Sequence, residues 1–194
     1  HIVCVLMGAN MSDIVEAIEN CIGNNAVLKG DSVKQRISVW GTNQPMEALA
    51  IVRPKNTDEV SSVLKLCNEQ SQPIVPQGGM TGLVKAGMPN SSEIAFSLER
   101  MNSIIDVDFD TATMTVEAGV TLQEAQEAAD AHGLMLPLDL GARGSATIGG
   151  NLSTNAGGNR VIRYGMTREM VLGVEAVLAD GTIIDNMRCL RKDN

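Results

Sequence analysis

The chain has 194 residues and a formal net charge of −8, with 44% hydrophobic and 20% charged residues. That length supports one large domain or two small lobes sharing an interface. The acidic balance argues against a nucleic-acid or anionic-membrane surface, which needs clustered Lys and Arg, and the four scattered aromatics (Trp40, Phe96, Phe109, Tyr164) make no base-stacking platform.

The chain opens on His1, whereas Met11-Ser12-Asp13 reads as a native start, so residues 1–10 are expected to be added or upstream sequence. Their apolar run from Ile2 to Ala9 is too short to span a bilayer. Residues 13–22 place Ile14, Val15, Ile18 and Ile22 at helical spacing. Residues 25–45 read as irregular, which makes 11–44 an N-terminal helix and an irregular segment. Ala48–Val52 is an apolar strand closed by Arg53-Pro54. Asn56 then caps a helix, with Glu59 completing a capping box and Val60, Val63, Leu64 and Cys67 forming the buried face. Ile74-Val75 is a second strand, and Ile94–Leu98 a third. Residues 45–100 therefore read as a small parallel β-α-β lobe.

Residues 101–194 change character. Ile104–Phe109 and Thr113–Glu117 alternate as half-buried strands do. Thr121 and Glu124 box the start of a helix running to about Ala131. Met170–Ala179 is a strand, and Asp180-Gly181 turns it into Thr182–Asp185. This second lobe is expected to be larger and antiparallel with helices, giving an α+β fold of two lobes. The chain ends on the polar Leu190–Asn194, where it is expected to be truncated.

The side chains offer little chemistry of their own. His132 stands at a predicted helix end, where an imidazolium suits the dipole and Gly133 the C-cap. Asp106, Asp108 and Asp110 mimic the start of a calcium loop, but Thr111 occupies the place where the sharp turn needs glycine. No zinc-type ligand spacing and no nucleophile elbow are present, so no catalytic or metal residue is assigned. Cys4, Cys21, Cys67 and Cys189 form no short pairing motif and read as reduced thiols. This suits the cytoplasm, or the mitochondrial matrix in a eukaryote.

Glycine is the informative residue. Pro76 to Pro89 (PQGGMTGLVKAGMP) holds four glycines and one charge, that of Lys85. Residues 137–158 (PLDLGARGSATIGGNLSTNAGG) hold six glycines among Ser, Thr and Asn. Glycine lets the main chain approach an anion closely, and successive N–H groups bind it without lysine. The two segments together therefore suggest one shared anionic ligand. A mononucleotide P-loop fails because Gly150 and Asn151 follow where Lys and Ser/Thr belong, and GGMTG is no dinucleotide fingerprint.

PQGGMTGLV, PLDLGARGSATIGGNLSTNAGGNRVIRYG and VLGVEAVLADGTI resemble the FAD-binding domain of the vanillyl-alcohol-oxidase type, from about residue 45 to residue 194. Within it they are most similar to the D-2-hydroxyglutarate dehydrogenase, D-lactate dehydrogenase and glycolate oxidase branch. The resemblance implies FAD lying between two lobes. Pro76, Gln77, Gly78, Gly79, Met80, Thr81 and Gly82 would wrap the pyrophosphate, with Gly79 at positive φ against it. Pro137, Leu138 and Asp139, with Ser145 and Thr147, would border the flavin. Gly149, Gly150, Asn151, Asn155, Gly157 and Gly158 would continue that wall, and Val174 would edge the adenine. A small 2-hydroxy acid would be the substrate, held by groups beyond residue 194. Met80 stands where relatives often have Asn, and Lys85-Ala86 where Gly-Gly is common. Lys85 would either face solvent or reach a phosphate. Two alternatives stand beside the dehydrogenase: another flavin reaction on the same fold, such as a sugar-nucleotide reductase, or a non-catalytic flavin-binding subunit or decayed paralogue.

Overall fold

In a computed structural model, residues 11–37 and 44–187 are described. The expectations for residues 1–10, Cys189 and Leu190–Asn194 lie outside that range. The described residues fold into one four-stranded mixed sheet and two antiparallel hairpins, with helices between them, an α+β architecture.

The first sheet is built from β1 (Val27–Leu28), β2 (Ala50–Val52), β3 (Ile74–Gln77) and β4 (Ile94–Ser97), in the order β1-β2-β4-β3. β2, β4 and β3 are parallel, with Ala50 and Ile74 both paired to Ile94. β1 runs antiparallel to β2, so residues 25–45 are not wholly irregular. Two residues are too few to show a period, which is why the sequence hides this strand.

Alternation along the strands covers both faces of the sheet. Ala50, Val52, Ile94 and Phe96 point to one side, where α1 (Met11–Ile22) contributes Ile14, Val15 and Ile18, and α3 (Thr57–Glu69) contributes Val60, Val63 and Cys67. Ile51 and Ala95 point to the other side, where Val33 of α2 (Asp31–Lys34) and Met46 close a smaller cluster. Each fully buried aliphatic side chain contributes about 1.5–3 kcal/mol. Burial also pushes the Cys67 thiol up to about 11, leaving it a packing residue.

Asn56 caps α3, its side chain accepting from the Glu59 N–H at 2.9 Å. The Glu59 carboxylate accepts from the Lys55 N–H instead of from the cap, so the expected box is only half formed.

The first hairpin pairs β5 (Ile104–Asp108) with β6 (Thr113–Val116). Asp108 accepts from the N–H groups of Asp110 and Thr111, so the acid run closes a turn. Among the described residues no His/Cys/Asp/Glu group is arranged for a metal. α4 (Leu122–Ala131) opens with the full Thr121/Glu124 capping box and ends at His132, with Gly133 at φ +71°. The second hairpin, β7 (Val174–Val177) with β8 (Ile183–Asn186), turns at Asp180-Gly181. It lies against α3: Ser61 Oγ donates to the Gly181 carbonyl, Thr57 Oγ1 donates to Glu175, and Val177 packs on the first core.

Candidate functional site

Parallel strands gather ligand sites at their carboxyl ends. Here those ends are followed by Arg53 after β2, Gly78 after β3 and the Leu98-Glu99 pair after β4. The second glycine segment is brought to the same place by pairing. The N–H groups of Leu122, Ile148 and Gly149 donate to the carbonyls of Ala146, Val120 and Ala118, and Thr121 bridges Thr147. Gly119 docks this unit on the first lobe. Its N–H donates to the Met101 carbonyl at 2.7 Å, and a Cβ there would overlap the Leu98 carbonyl oxygen.

The two glycine segments meet directly. A Cβ on Gly78 would lie 2.6 Å from Thr147 Oγ1, and one on Gly79 would overlap the Ser145 carbonyl oxygen. Gly79 is therefore glycine because a neighbouring backbone occupies its Cβ space. It is not at positive φ, which corrects the sequence expectation. The positive φ falls on Met80 (+54°) and Lys85 (+58°). A side chain in that region costs about 1–2 kcal/mol relative to glycine. Asn and Gly, the residues the resemblance sets at these positions, are the ones that adopt it most readily. Met80 accordingly carries a backbone cost. Lys85 is exposed and forms no ion pair among the described residues.

Between the segments lies a cleft of about 560 Å³, lined in part by Gln77, Gly78, Gly79, Met80, Ser145 and Thr147. Its other walls include Arg36, Ser97, Glu99, Gly119, Thr121 and Glu124, none singled out as site residues from sequence. Gln77 is buried and donates from Nε2 to the Gly87 carbonyl at 2.8 Å, closing the loop into a ring. Within that ring no N–H of residues 78–82 donates a hydrogen bond among the described residues. Five consecutive free donors make a nest for an anion.

Apart from Thr147, the expected residues still to be placed do not line this cleft. Thr147 caps α5 (Ile148–Thr154), a helix the glycine-rich sequence conceals, and its Oγ1 accepts from the Gly150 N–H at 3.3 Å. Gly149 packs on Ala118. Asn151 is buried in α5 and its Nδ2 has no partner among the described residues. Asn155 ends the helix in the left-handed region, its Oδ1 accepting from the Arg168 N–H. Leu138 is buried beside half-buried Pro137, and its carbonyl accepts from Gln126 Nε2. Asp139 bridges Gly158, where a Cβ would overlap the Asp139 carbonyl, and Gly157 packs near the Met166 sulfur. Pro76 is exposed in β3 and Thr81 and Gly82 continue the loop. Val174, 39% exposed in β7, does not line the cleft.

Charge at the rim is organised around Glu99. Arg36 donates to both its carboxylate oxygens (3.0 and 2.8 Å), and Arg53 Nη1 to one of them at 3.3 Å. Burial pushes the Glu99 carboxyl up, and the two guanidiniums more than reverse it, holding it below the usual range. Glu124 is also held low, by the Thr121 N–H and hydroxyl.

Comparison with known proteins decides the family. The FAD binding domain family matches residues 48–186. The chain belongs to that family. FAD is its cofactor, and the free donors of 78–82 fit the diphosphate of such a group. The chain is 43% identical over 187 residues to a probable mitochondrial D-2-hydroxyglutarate dehydrogenase of Oryza sativa subsp. indica, covering 94% of this chain and 33% of that protein. It is 48% identical over 170 residues to the mitochondrial D-2-hydroxyglutarate dehydrogenase of Arabidopsis thaliana, covering 88% and 30%. The FAD-binding chain thus spans about a third of the length of these curated relatives. Among solved structures, alkyldihydroxyacetonephosphate synthase superposes with a TM-score of 0.79 at 20% identity, over 99% of this chain and 36% of that one. p-Cresol methylhydroxylase gives 0.71 at 23%, over 89% and 34%. At those identities the likeness shows the vanillyl-alcohol-oxidase type of fold.

Proposed function

We propose that this chain is the FAD-binding domain, about residues 45–194, of a flavin-dependent D-2-hydroxy-acid dehydrogenase of the D-2-hydroxyglutarate, D-lactate or glycolate type. The observation that carries the reading is the meeting of the two glycine segments around one cleft, with the N–H groups of 78–82 unspent. Those five groups hold the diphosphate of FAD. Thr147, Gly150 and Asn151, with Pro137–Asp139, Ser145, Asn155, Gly157 and Gly158, form the wall beside the flavin, and Val174 edges the adenine. When bound, FAD would supply the two-electron acceptor for oxidation of a 2-hydroxy acid to the 2-oxo acid.

The residues of this chain bind and orient the cofactor. His132 is committed to a helix end, its Nδ1 2.9 Å from the Ala128 carbonyl. Arg143 and Arg160 lie 3.8 Å from the Asp139 carboxylate, and Arg163 rests over the Tyr164 ring. The base and the groups that hold the substrate carboxylate belong to the remainder of a full-length enzyme. By its relatives' names, the enzyme works in the mitochondrion.

Anaerobic mixing of the FAD-loaded protein with D-2-hydroxyglutarate, D-lactate or glycolate tests the division of labour. The flavin of the chain alone stays yellow, and that of the full-length parent bleaches. Bleaching of the isolated chain at the parent's rate would place the catalytic groups here and overturn the assignment. A parent that binds FAD but bleaches with none of the three acids favours the reductase or non-catalytic alternatives.

A further inference from the structure

Of the described residues lining the cleft, Arg36 is the one arginine or lysine, and two carboxylates, Glu99 and Glu124, line it too. Resting on the assignment of a diphosphate to this cleft, we infer that Arg36 is a further cofactor ligand, held by Glu99 until the diphosphate takes its guanidinium.

The geometry gives Glu99 two arginines with unequal freedom. Arg53 is 19% exposed in its side chain, and its Nη2 also donates to the Asn25 carbonyl at 2.6 Å. Its own carbonyl accepts from Arg100 at 2.9 Å. It is pinned. The Arg36 side chain is 43% exposed, and Glu99 is its single partner among the described residues. Its main chain is fixed, with the N–H donating to the Val33 carbonyl and the carbonyl accepting from the Met46 N–H. Only the side chain has to move.

The register supplies the target. Gln77 pairs with Ser97, so Gly79 and Glu99 stand two residues beyond the same rung. The nest and the Arg36–Glu99 pair therefore occupy the same end of adjacent strands. A guanidinium presents a planar fork that suits two phosphate oxygens as well as it suits a carboxylate. When Arg36 turns to the diphosphate, Glu99 retains Arg53 and the Ser97 hydroxyl, so no carboxylate is stranded. The described lining carries two carboxylates and a single guanidinium, so Arg36 is the cation there that can meet a diphosphate.

FAD titration followed by quenching of flavin fluorescence tests this, with ADP as a competitor that carries the diphosphate without the flavin. Arg36→Ala raises the dissociation constants of FAD and ADP about tenfold, the size of one charge-assisted hydrogen bond. It also flattens their salt dependence. Glu99→Gln lowers both constants more in the wild-type background, where it also frees Arg36, than in the Arg36→Ala background, where only the loss of its charge remains. Thermal midpoints establish that each variant is folded. FAD binding by Arg36→Ala with an unaltered constant and salt dependence overturns the inference and leaves the functional reading standing. A Glu99→Gln effect of the same size with and without Arg36 also overturns it. Wild-type protein that binds neither FAD nor ADP removes both.

Discussion

The two glycine-rich segments use the same residue for opposite ends. In residues 145–151 the backbone is spent on the protein itself. Ser145, Ala146, Ile148, Gly149 and Asn151 donate to main-chain carbonyls, and Gly150 donates to Thr147 Oγ1. In residues 78–82 the described N–H groups are left free, and the left-handed positions of that loop fall on Met80 and Lys85. The second segment is a scaffold stabilised by its own hydrogen bonds. The first is a set of donors held open by its neighbour, at a cost in backbone strain. Glycine content alone does not separate the two roles; the fate of the N–H groups does.

The largest effect comes from cutting the contact between them. Gly79→Val drives a branched side chain into the Ser145 carbonyl, in a place where backbone rather than a flexible tip must give way. Overpacking of this kind costs about 3 kcal/mol or more, and FAD retention on gel filtration is lost with it. Gly82→Ala is the control. No atom lies within 4 Å of its added Cβ, and the change should stay within about 0.5 kcal/mol. If thermal melts rank the two substitutions equally, the segments do not depend on the contact.

Asn151 probes the scaffold side. Its amide nitrogen is buried without a partner among the described residues, so Asn151→Ala removes an unsatisfied donor along with some packing. Stability of the ligand-free protein changes by less than about 1 kcal/mol, while affinity for FAD falls by about 1–3 kcal/mol if that amide serves the cofactor. Differential scanning with and without FAD reads both. An equal loss in the two states would mean that Asn151 only packs.

Strain in the first segment predicts a gain. Lys85→Gly removes a side chain from the left-handed region and should raise stability by up to about 1 kcal/mol, less the entropy glycine loses on folding. Met80→Gly should yield less, because the Met80 thioether packs beside Gly87. A drop in melting temperature for Lys85→Gly would show that this lysine makes a favourable contact after all.

These positions also show what a sequence can and cannot announce. The Thr121 cap, the Asn56 cap and the Asp180-Gly181 turn are legible because the partners lie within a few residues. The helix Ile148–Thr154 was missed although Thr147 is a proper cap, since two adjacent glycines outweigh it in any propensity reading. Gly119 and the Arg36–Glu99 pair were missed for another reason. Their partners stand far along the chain, and no local pattern records a close approach that the fold creates. Donor N–H groups are expected from the sequence at Gly78, Gly79, Met80 and Thr81, whereas the close approach that makes Gly79 glycine is not.

The smallest effect separates the two regions by what holds their carboxylates. Glu99, beside the first segment, is kept low against its burial by Arg36 and Arg53, and Glu124, beside the second, by the Thr121 N–H and hydroxyl. Each folded-state pKa is depressed below the ordinary 4.5, so each contributes stability that is complete above that value and is lost as pH falls through the depressed one. Both groups are substantially exposed to solvent, so each contribution is below about 1 kcal/mol. Salt distinguishes them. At about 1 M the screening length shrinks to about 3 Å, which weakens the guanidinium pairs and leaves the short N–H bonds of the capping box nearly intact. Melting curves between about pH 6 and pH 3 should therefore show the Glu99→Gln difference fading in high salt and the Glu124→Gln difference persisting. If salt erases both, the second segment also depends on ion pairing, and the contrast between an electrostatic rim and a hydrogen-bonded scaffold fails.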